Sequence, residues 1–242
     1  MEAKQLQIHI EFSGNNIDLP ISYNYTVQSM IYHALSENQE YQDFLHNTGY
    51  VSDKKTFRLF TFGELNGKYT INNRRIIFED GFSLEIRTIS DTLFRLFNRS
   101  FCLGTVFYLG NQEIIVKRVV CENREVTSDN IKIKMLSPVV AKMKEDNQTI
   151  YFAPSDTQFE EIININFFSK YKAFYGIEPD SQIKVSNIYR ERKIVSKYKG
   201  IWINGYLAEM SLEGKAEYLD FLYNVGIGSN NAQGYGMFEI IE

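Results

Sequence analysis

Near its C-terminus the chain reads Gly226-Ile227-Gly228-Ser229-Asn230-Asn231-Ala232-Gln233-Gly234-Tyr235-Gly236-Met237-Phe238, the stretch that most narrows what it can fold into. Four of its 15 glycines fall within eleven residues, at the spacing G-x-G-x5-G-x-G. Glycine reaches positive φ without strain and lets another backbone come close. Ahead of the loop, Ala216, Leu219, Phe221, Leu222 and Val225 form the apolar stripe of a short helix. Behind it, Met237 to Ile241 reads as a strand. The order helix, glycine loop, strand excludes two phosphate-binding designs. A dinucleotide fingerprint needs the strand first and the helix second, and a triphosphate loop also needs Gly-Lys-Ser/Thr.

The rest of the chain supplies elements in a repeating order. Leu6, Ile8, Ile10 and Phe12 alternate with polar residues, as in a half-buried strand. Val27, Met30, Ile31, Ala34 and Leu35 have helical spacing, with Thr26 as the expected N-cap. A second helical stretch runs from Tyr41 to His46. Strands are expected at Phe57–Phe62, in a hairpin around Asn72-Asn73, at Phe82–Ile89 and at Ile114–Val120, with a helix after Asp91. The second half offers strands at Ile131–Met135, Val139–Met143 and Thr149–Phe152, a helix over Asp156–Tyr175, and strands at Gln182–Tyr189 and Ile201–Leu212. Each half reads as β-α-β-β-α-β, so the expected fold is α+β with two tandem ferredoxin-like (RRM-like) domains, residues 1–122 and 123–242. The polar run between Cys121 and Asn130 marks the boundary.

Composition fixes the setting. With 44% apolar residues the chain can bury a sizeable core, and it has no apolar run long enough to cross a membrane. Cys102 and Cys121 show no paired spacing, and buried, reduced thiols in a cytoplasmic protein are expected. Trp202, opening a strand, is expected in the core. Net charge is −4, yet residues 182–200 carry six basic residues against Glu191 alone, a local +5. Such a basic face suits a selective polyanion partner. The three histidines, His9, His33 and His46, have no metal-ligand spacing, and no serine or cysteine triad is visible. No cofactor is expected. What remains is chemistry needing one proton-transfer group and a cation, as in metal-free RNA cleavage by the ribose 2′-OH.

The glycine stretch, with its preceding helix and following strand, resembles the C-terminal signature of the CRISPR-associated RAMP proteins. It is most similar to the endoribonucleases that process precursor CRISPR RNA at its repeats. Met135-Leu136-Ser137-Pro138-Val139 resembles the family's Leu-Ser-Pro segment, so the likeness touches both halves. The resemblance implies a catalytic tyrosine in the first helix and a histidine at the end of the next, here Tyr32 in Met30-Ile31-Tyr32 and His46 in Asp43-Phe44-Leu45-His46-Asn47. Tyr32 would orient the ribose or a nonbridging oxygen, and His46 would be the general base or acid. The family lysine precedes a Leu-Phe-Thr-Tyr/Phe strand. Leu59-Phe60-Thr61-Phe62 is that strand, and the matching position holds Arg58, with Lys54 and Lys55 upstream. Arginine stabilises a phosphorane but is too basic to act as a general acid. The sequence leaves Arg58 and Lys55 both open for this role.

For binding, Gly226, Gly228, Gly234 and Gly236 would present backbone N–H groups to phosphates, and Lys184, Arg190, Arg192 and Lys193 would grip the RNA backbone. The partner implied is CRISPR repeat RNA, with membership of an effector complex and a homodimer left open. The alternative is a non-catalytic RAMP subunit that holds CRISPR RNA in such a complex.

Overall fold

A computed structural model of the chain describes residues 6–53, 55–146 and 148–241, so Lys54 lies outside the described residues. The fold is mixed α/β and rich in strands, and every ladder among the described residues is antiparallel. In β1 (Leu6–Ser13) the side chains of Ile8, Ile10 and Phe12 are buried on one face and alternate with Gln7, His9 and Glu11. After β2 (Ile17–Pro20), helix α1 (Asn24–His33) lays Val27, Met30 and Ile31 on that buried face. Thr26 does not open this helix; it starts at Asn24 with no side-chain cap. Helix α2 (Gln39–Asp43) is capped by the Asn38 side chain and runs into a π turn, Phe44–Thr48, that carries His46.

The expected strand Phe57–Phe62 is two strands. β3 (Tyr50–Ser52) pairs with β4 (Lys55–Phe57), whereas β5 (Phe60–Phe62) joins the main sheet. Between them Leu59 sits at φ +51, a conformation that costs a bulky residue about 1–3 kcal/mol. The inversion is held by packing: Leu59 is buried among second-half residues and Phe60 among first-half residues. β6 (Tyr69–Asn72) and β7 (Arg75–Phe78) form a hairpin turning at Asn73 and Arg74, both at positive φ as a two-residue hairpin turn demands. β8 (Gly81–Thr88), α3 (Asp91–Ser100), β9 (Val106–Leu109) and β10 (Gln112–Glu122) complete the first half, whose sheet runs β5-β8-β1-β10-β9.

The second half contains β11 (Asn130–Met135), the hairpin β12 (Ala141–Glu145) and β13 (Gln148–Phe152), α4 (Phe159–Tyr175), β14 (Lys184–Tyr198), β15 (Ile201–Glu213), α5 (Ala216–Val225) and β16 (Phe238–Ile240). Its sheet runs β14-β15-β11-β16. With the edge strand β9 set aside, the two sheets share one order: second, third, first, fourth strand, with a helix after the first and the third.

Three expectations are corrected. Cys102 and Cys121 are free thiols but exposed, because both lie at the open rim of α3 beside Asn98. Trp202 is 60% exposed, because β11 pairs with β15 only over Glu209–Glu213 and leaves the outer part of the hairpin without a third strand. The basic residues of β14 do not share a face. Successive strand residues point to opposite sides, so Arg190 and Arg192 share the side of Ser196 and Tyr198, which bond Tyr235 and Gln28, and Lys193 and Lys197 take the other.

Candidate active site

The glycine loop is the joint between the halves. Its four glycines are buried at φ values of 83°, 72°, 83° and 80°. A Cβ on Gly236 would lie 2.0 Å from the Ile227 carbonyl oxygen, and one on Gly234 would lie 2.5 Å from the Phe62 ring. The glycines thus permit close approach, but to the protein's own backbone and rings. The N–H groups of Gly226, Gly234 and Gly236 donate to Leu222, Asn231 and Pro138 carbonyls, so these three amides are not presented to a phosphate. Asn24 donates to the Gln233 carbonyl at 2.9 Å, and Gln28 to that of Ala232 at 2.5 Å, which ties the loop to α1 of the first half.

Two side chains that sequence reasoning passed over hold the loop's shape. Lys170 of α4 is 2% exposed, and its ammonium donates to Gly226 O at 2.6 Å, Gly228 O at 3.0 Å and Asn231 Oδ1 at 2.9 Å. Asn231 spans the loop by donating to the carbonyls of Ile227 and Tyr235. Burial pulls the Lys170 ammonium down to about 7, while one oxygen for each N–H favours the charged form. The signal was present: Lys170 falls seven residues after Ile163, inside the apolar stripe of α4.

From this joint α1 points toward the catalytic candidates. The Tyr32 and His46 rings meet edge to face with centroids 6.0 Å apart. Gln42 donates to the Tyr32 carbonyl at 2.8 Å, linking α2 to α1 just ahead of the His46 turn. Arg58 donates to the His46 carbonyl oxygen at 2.8 Å, and its charge lies near enough to the Tyr32 hydroxyl to favour the phenolate. The inverted backbone at Leu59 aims Arg58 this way. Burial pushes the Tyr32 phenol above its ordinary pKa, and Arg58 pulls it back only in part, so Tyr32 is a neutral O–H at neutral pH. His46 is exposed, with Nδ1 3.1 Å from Asn47 Oδ1. Of the two candidate cations, Arg58 joins the pair. Lys55 lies exposed nearby, with no contact to Tyr32 or His46 among the described residues.

This corner opens into a cleft of about 910 Å³ between the halves. One wall is α1, through Tyr25, Gln28, Ser29 and Tyr32; another is the loop's apex, Ser229–Gln233; the hairpin β12–β13 and α4 close the far side. Lys55, Arg58, Lys142, Lys144, Lys170 and Lys199 line it, and no Asp or Glu does among the described residues. Lys142 sits half-buried beside Lys144, and burial followed by that neighbouring charge holds its ammonium below the usual lysine value. Lys184, Arg190, Arg192 and Lys193 lie outside the cleft. Arg192 faces Glu64 of the first half, whose carboxyl burial pushes up and Arg192 partly draws back. No group of three His, Cys, Asp or Glu side chains converges anywhere among the described residues.

Comparison with known proteins meets this geometry. The chain is 24% identical over 256 residues to the CRISPR-associated endoribonuclease Cas6 1 of Methanocaldococcus jannaschii, covering 99% of this chain and 94% of that protein. The solved structure of a Cas6-related protein from Pyrococcus furiosus is similar with a TM-score of 0.85 at 20% identity, over 98% of this chain and 99% of that one. A RAMP protein described as binding different RNA substrates follows at a TM-score of 0.83 and 20% identity, over 98% and 100%. Residues 121–240 match the family model of the CRISPR associated protein Cas6, C-terminal domain. With that match over its second half and a relative that aligns along nearly its whole length, the chain is similar to Cas6 proteins from one end to the other.

Proposed function

We propose that the chain is a metal-independent endoribonuclease that cuts CRISPR repeat RNA in the cleft. Residues 1–122 and 123–242 act as tandem ferredoxin-like units that clasp the RNA between them. The observation that carries this reading is the Tyr32–His46–Arg58 corner opening into a cleft with six cations and no carboxylate among its described lining residues. A polyanion is the ligand such a lining attracts. The ribose 2′-OH, already attached beside its target, attacks the adjacent phosphorus; the 2′-O–P bond forms and the P–O5′ bond breaks. The products are a 2′,3′-cyclic phosphate and a 5′-hydroxyl. His46 takes the 2′-OH proton or supplies one to the departing 5′ oxygen. Tyr32, neutral, donates to a nonbridging oxygen or to the ribose. Arg58, always charged, stabilises the extra negative charge on the phosphorane. The glycines shape the joint, and Ser229–Gln233 are the part of the loop that meets RNA. The reaction belongs in the cytoplasm, where CRISPR RNA is matured.

The test is incubation of the protein with its host's repeat RNA in excess EDTA, beside a His46→Ala variant. A single cut at an unchanged rate in EDTA is expected, falling about 10²–10⁴-fold in the variant while gel-shift affinity holds. Binding without cutting by wild type makes the chain a crRNA-holding subunit. Undiminished cutting by the variant removes His46 from the mechanism.

A further inference from the structure

The outer part of the β14–β15 hairpin carries residues that the cleft does not use. The register sets Lys197 opposite Trp202, Val195 opposite Asn204 and Lys193 opposite Tyr206, so these side chains share one face of a two-stranded ribbon. Trp202 is 60% exposed and Val195 54%, and beyond the Val139–Tyr206 bridge no strand among the described residues pairs with this part of the hairpin. The Lys197 ammonium lies 5.4 Å from the Trp202 ring centroid. Two carboxylates lie at the inner end of this face, beside Tyr206: Asp156, which accepts from the Ala153 N–H, and Glu191, which Ser155 bonds through N–H at 3.1 Å and through Oγ at 2.8 Å. A large bare indole among cations is costly to leave facing water and well suited to a base, whose π face stacks on it while the neighbouring lysines meet the phosphates.

The cleft lies on the ribbon's other side and meets this face only at the hairpin turn. At the hairpin's end Lys199 reaches into the cleft and holds its ammonium 4.6 Å from the ring centroid of Tyr25, which is itself exposed and lies two helical turns before Tyr32 on α1. Tyr25 in turn meets Tyr198 edge to face at 5.8 Å. Aromatic rings and lysines therefore alternate from the catalytic corner, through Tyr25 and Lys199, round the hairpin turn to Lys197 and Trp202.

We propose that this ribbon is a second RNA subsite, in which Trp202 stacks an unpaired base of the repeat RNA while Lys193 and Lys197 hold the flanking phosphates outside the cleft. The assignment rests on the endoribonuclease reading and names where the substrate runs after it leaves the cut site. Stacking is tolerant of base identity, so the subsite adds affinity rather than a sequence code.

Trp202 is the chain's only tryptophan, so its emission reports on this face alone. The experiment titrates the intact protein with repeat RNA carrying 2′-fluoro groups, which removes the attacking hydroxyl, and follows emission and gel shift together. Quenching that saturates with the gel shift is expected. Trp202→Ala is expected to bind about tenfold more weakly, the loss of one stacked base, with kcat at saturating RNA unchanged. Trp202→Phe restores most of the affinity, and Lys197→Gln lowers the slope of log affinity against log salt by about one. A gel shift without any change in emission, or full affinity in Trp202→Ala, overturns the subsite and leaves the nuclease reading standing. No gel shift with wild type overturns both. A dimer of wild type that Trp202→Glu disperses, with RNA affinity intact, makes the face a contact between copies of the chain and overturns the subsite as well.

Discussion

The two halves of the chain meet along two seams that treat positive charge in opposite ways. On the closed seam, α5 and β16 cover the outer face of the first sheet, and Arg87 is 2% exposed beneath them. Its guanidinium stacks 3.9 Å from the Tyr223 ring centroid, donates to the Phe238 carbonyl at 2.6 Å and pairs with Glu85, which also accepts from Gln7. On the open seam, Lys55, Arg58, Lys142, Lys144 and Lys199 line a cleft in which no carboxylate answers them among the described residues. Burying a charge costs several kcal/mol unless partners replace its water. The closed seam supplies those partners from the protein and is structural. The open seam gives its cations no carboxylate among the described residues, which is what the proposed RNA partner would supply. Counting basic residues along the sequence does not separate the two cases; what separates them is whether a carboxylate lies within reach.

The largest effect comes from breaking the closed seam. Arg87→Met leaves Glu85 in place with its main partner gone, and removing one member of a buried pair costs about 3–5 kcal/mol. For a chain of this size that is a fall in Tm of roughly 10 °C. Affinity for repeat RNA at 20 °C should be unchanged, since neither Arg87 nor its partners Glu85, Tyr223 and Phe238 line the cleft. A variant that melts normally but binds RNA poorly would mean that the two seams are coupled and the comparison is wrong.

Lys170 stands between the two cases, since it borders the cleft yet is held by three oxygens of the protein. Lys170→Met strands those acceptors and is expected to cost about 2–3 kcal/mol. Its pH dependence sharpens the point. Burial lowers the ammonium from 10.5 to about 7, so between those values the unfolded chain binds a proton that the folded chain releases. Stability should therefore rise as pH goes from 7 to 9, and Lys170→Met should flatten that rise. Urea unfolding at pH 7, 8 and 9 measures it. An identical slope in wild type and variant would show that the three acceptors keep Lys170 as charged in the fold as out of it.

How much of this was legible in the sequence follows from the range of the forces involved. The glycine loop and its flanking helix and strand could be read because positive φ and close approach leave a local mark, the glycine itself. β1 could be read from its alternation. The break at Leu59 could not: a leucine takes a left-handed conformation only because Leu59 and Phe60 belong to different cores, a long-range cause with no local sign. Trp202 was misplaced because an indole in a strand is usually buried, and nothing nearby in sequence says that β11 ends before reaching it. That Tyr32 and His46 lie together was legible in outline, and that Arg58 rather than Lys55 touches His46 depends on the turn at Leu59. Lys142 and Lys144 were missed altogether, because they face the corner only once the halves are docked.

The smallest effect tests the comparison one charge at a time. Lys144 is exposed in the cleft, and Lys134, also exposed, sits 3.0 Å from Glu239 across β11 and β16. Each phosphate contact contributes about 0.7–0.9 to the slope of log affinity against log salt. Lys144→Gln should therefore lower that slope by a little under one and weaken repeat-RNA binding a few-fold at moderate salt. Lys134→Gln should leave both slope and affinity alone, because its charge already has a carboxylate and lies off the cleft. Both side chains are exposed, so neither change should move the melting temperature by more than about 2 °C. Equal losses from the two variants would mean that RNA responds to the overall charge of the protein, and the distinction between answered and unanswered cations would fall with it.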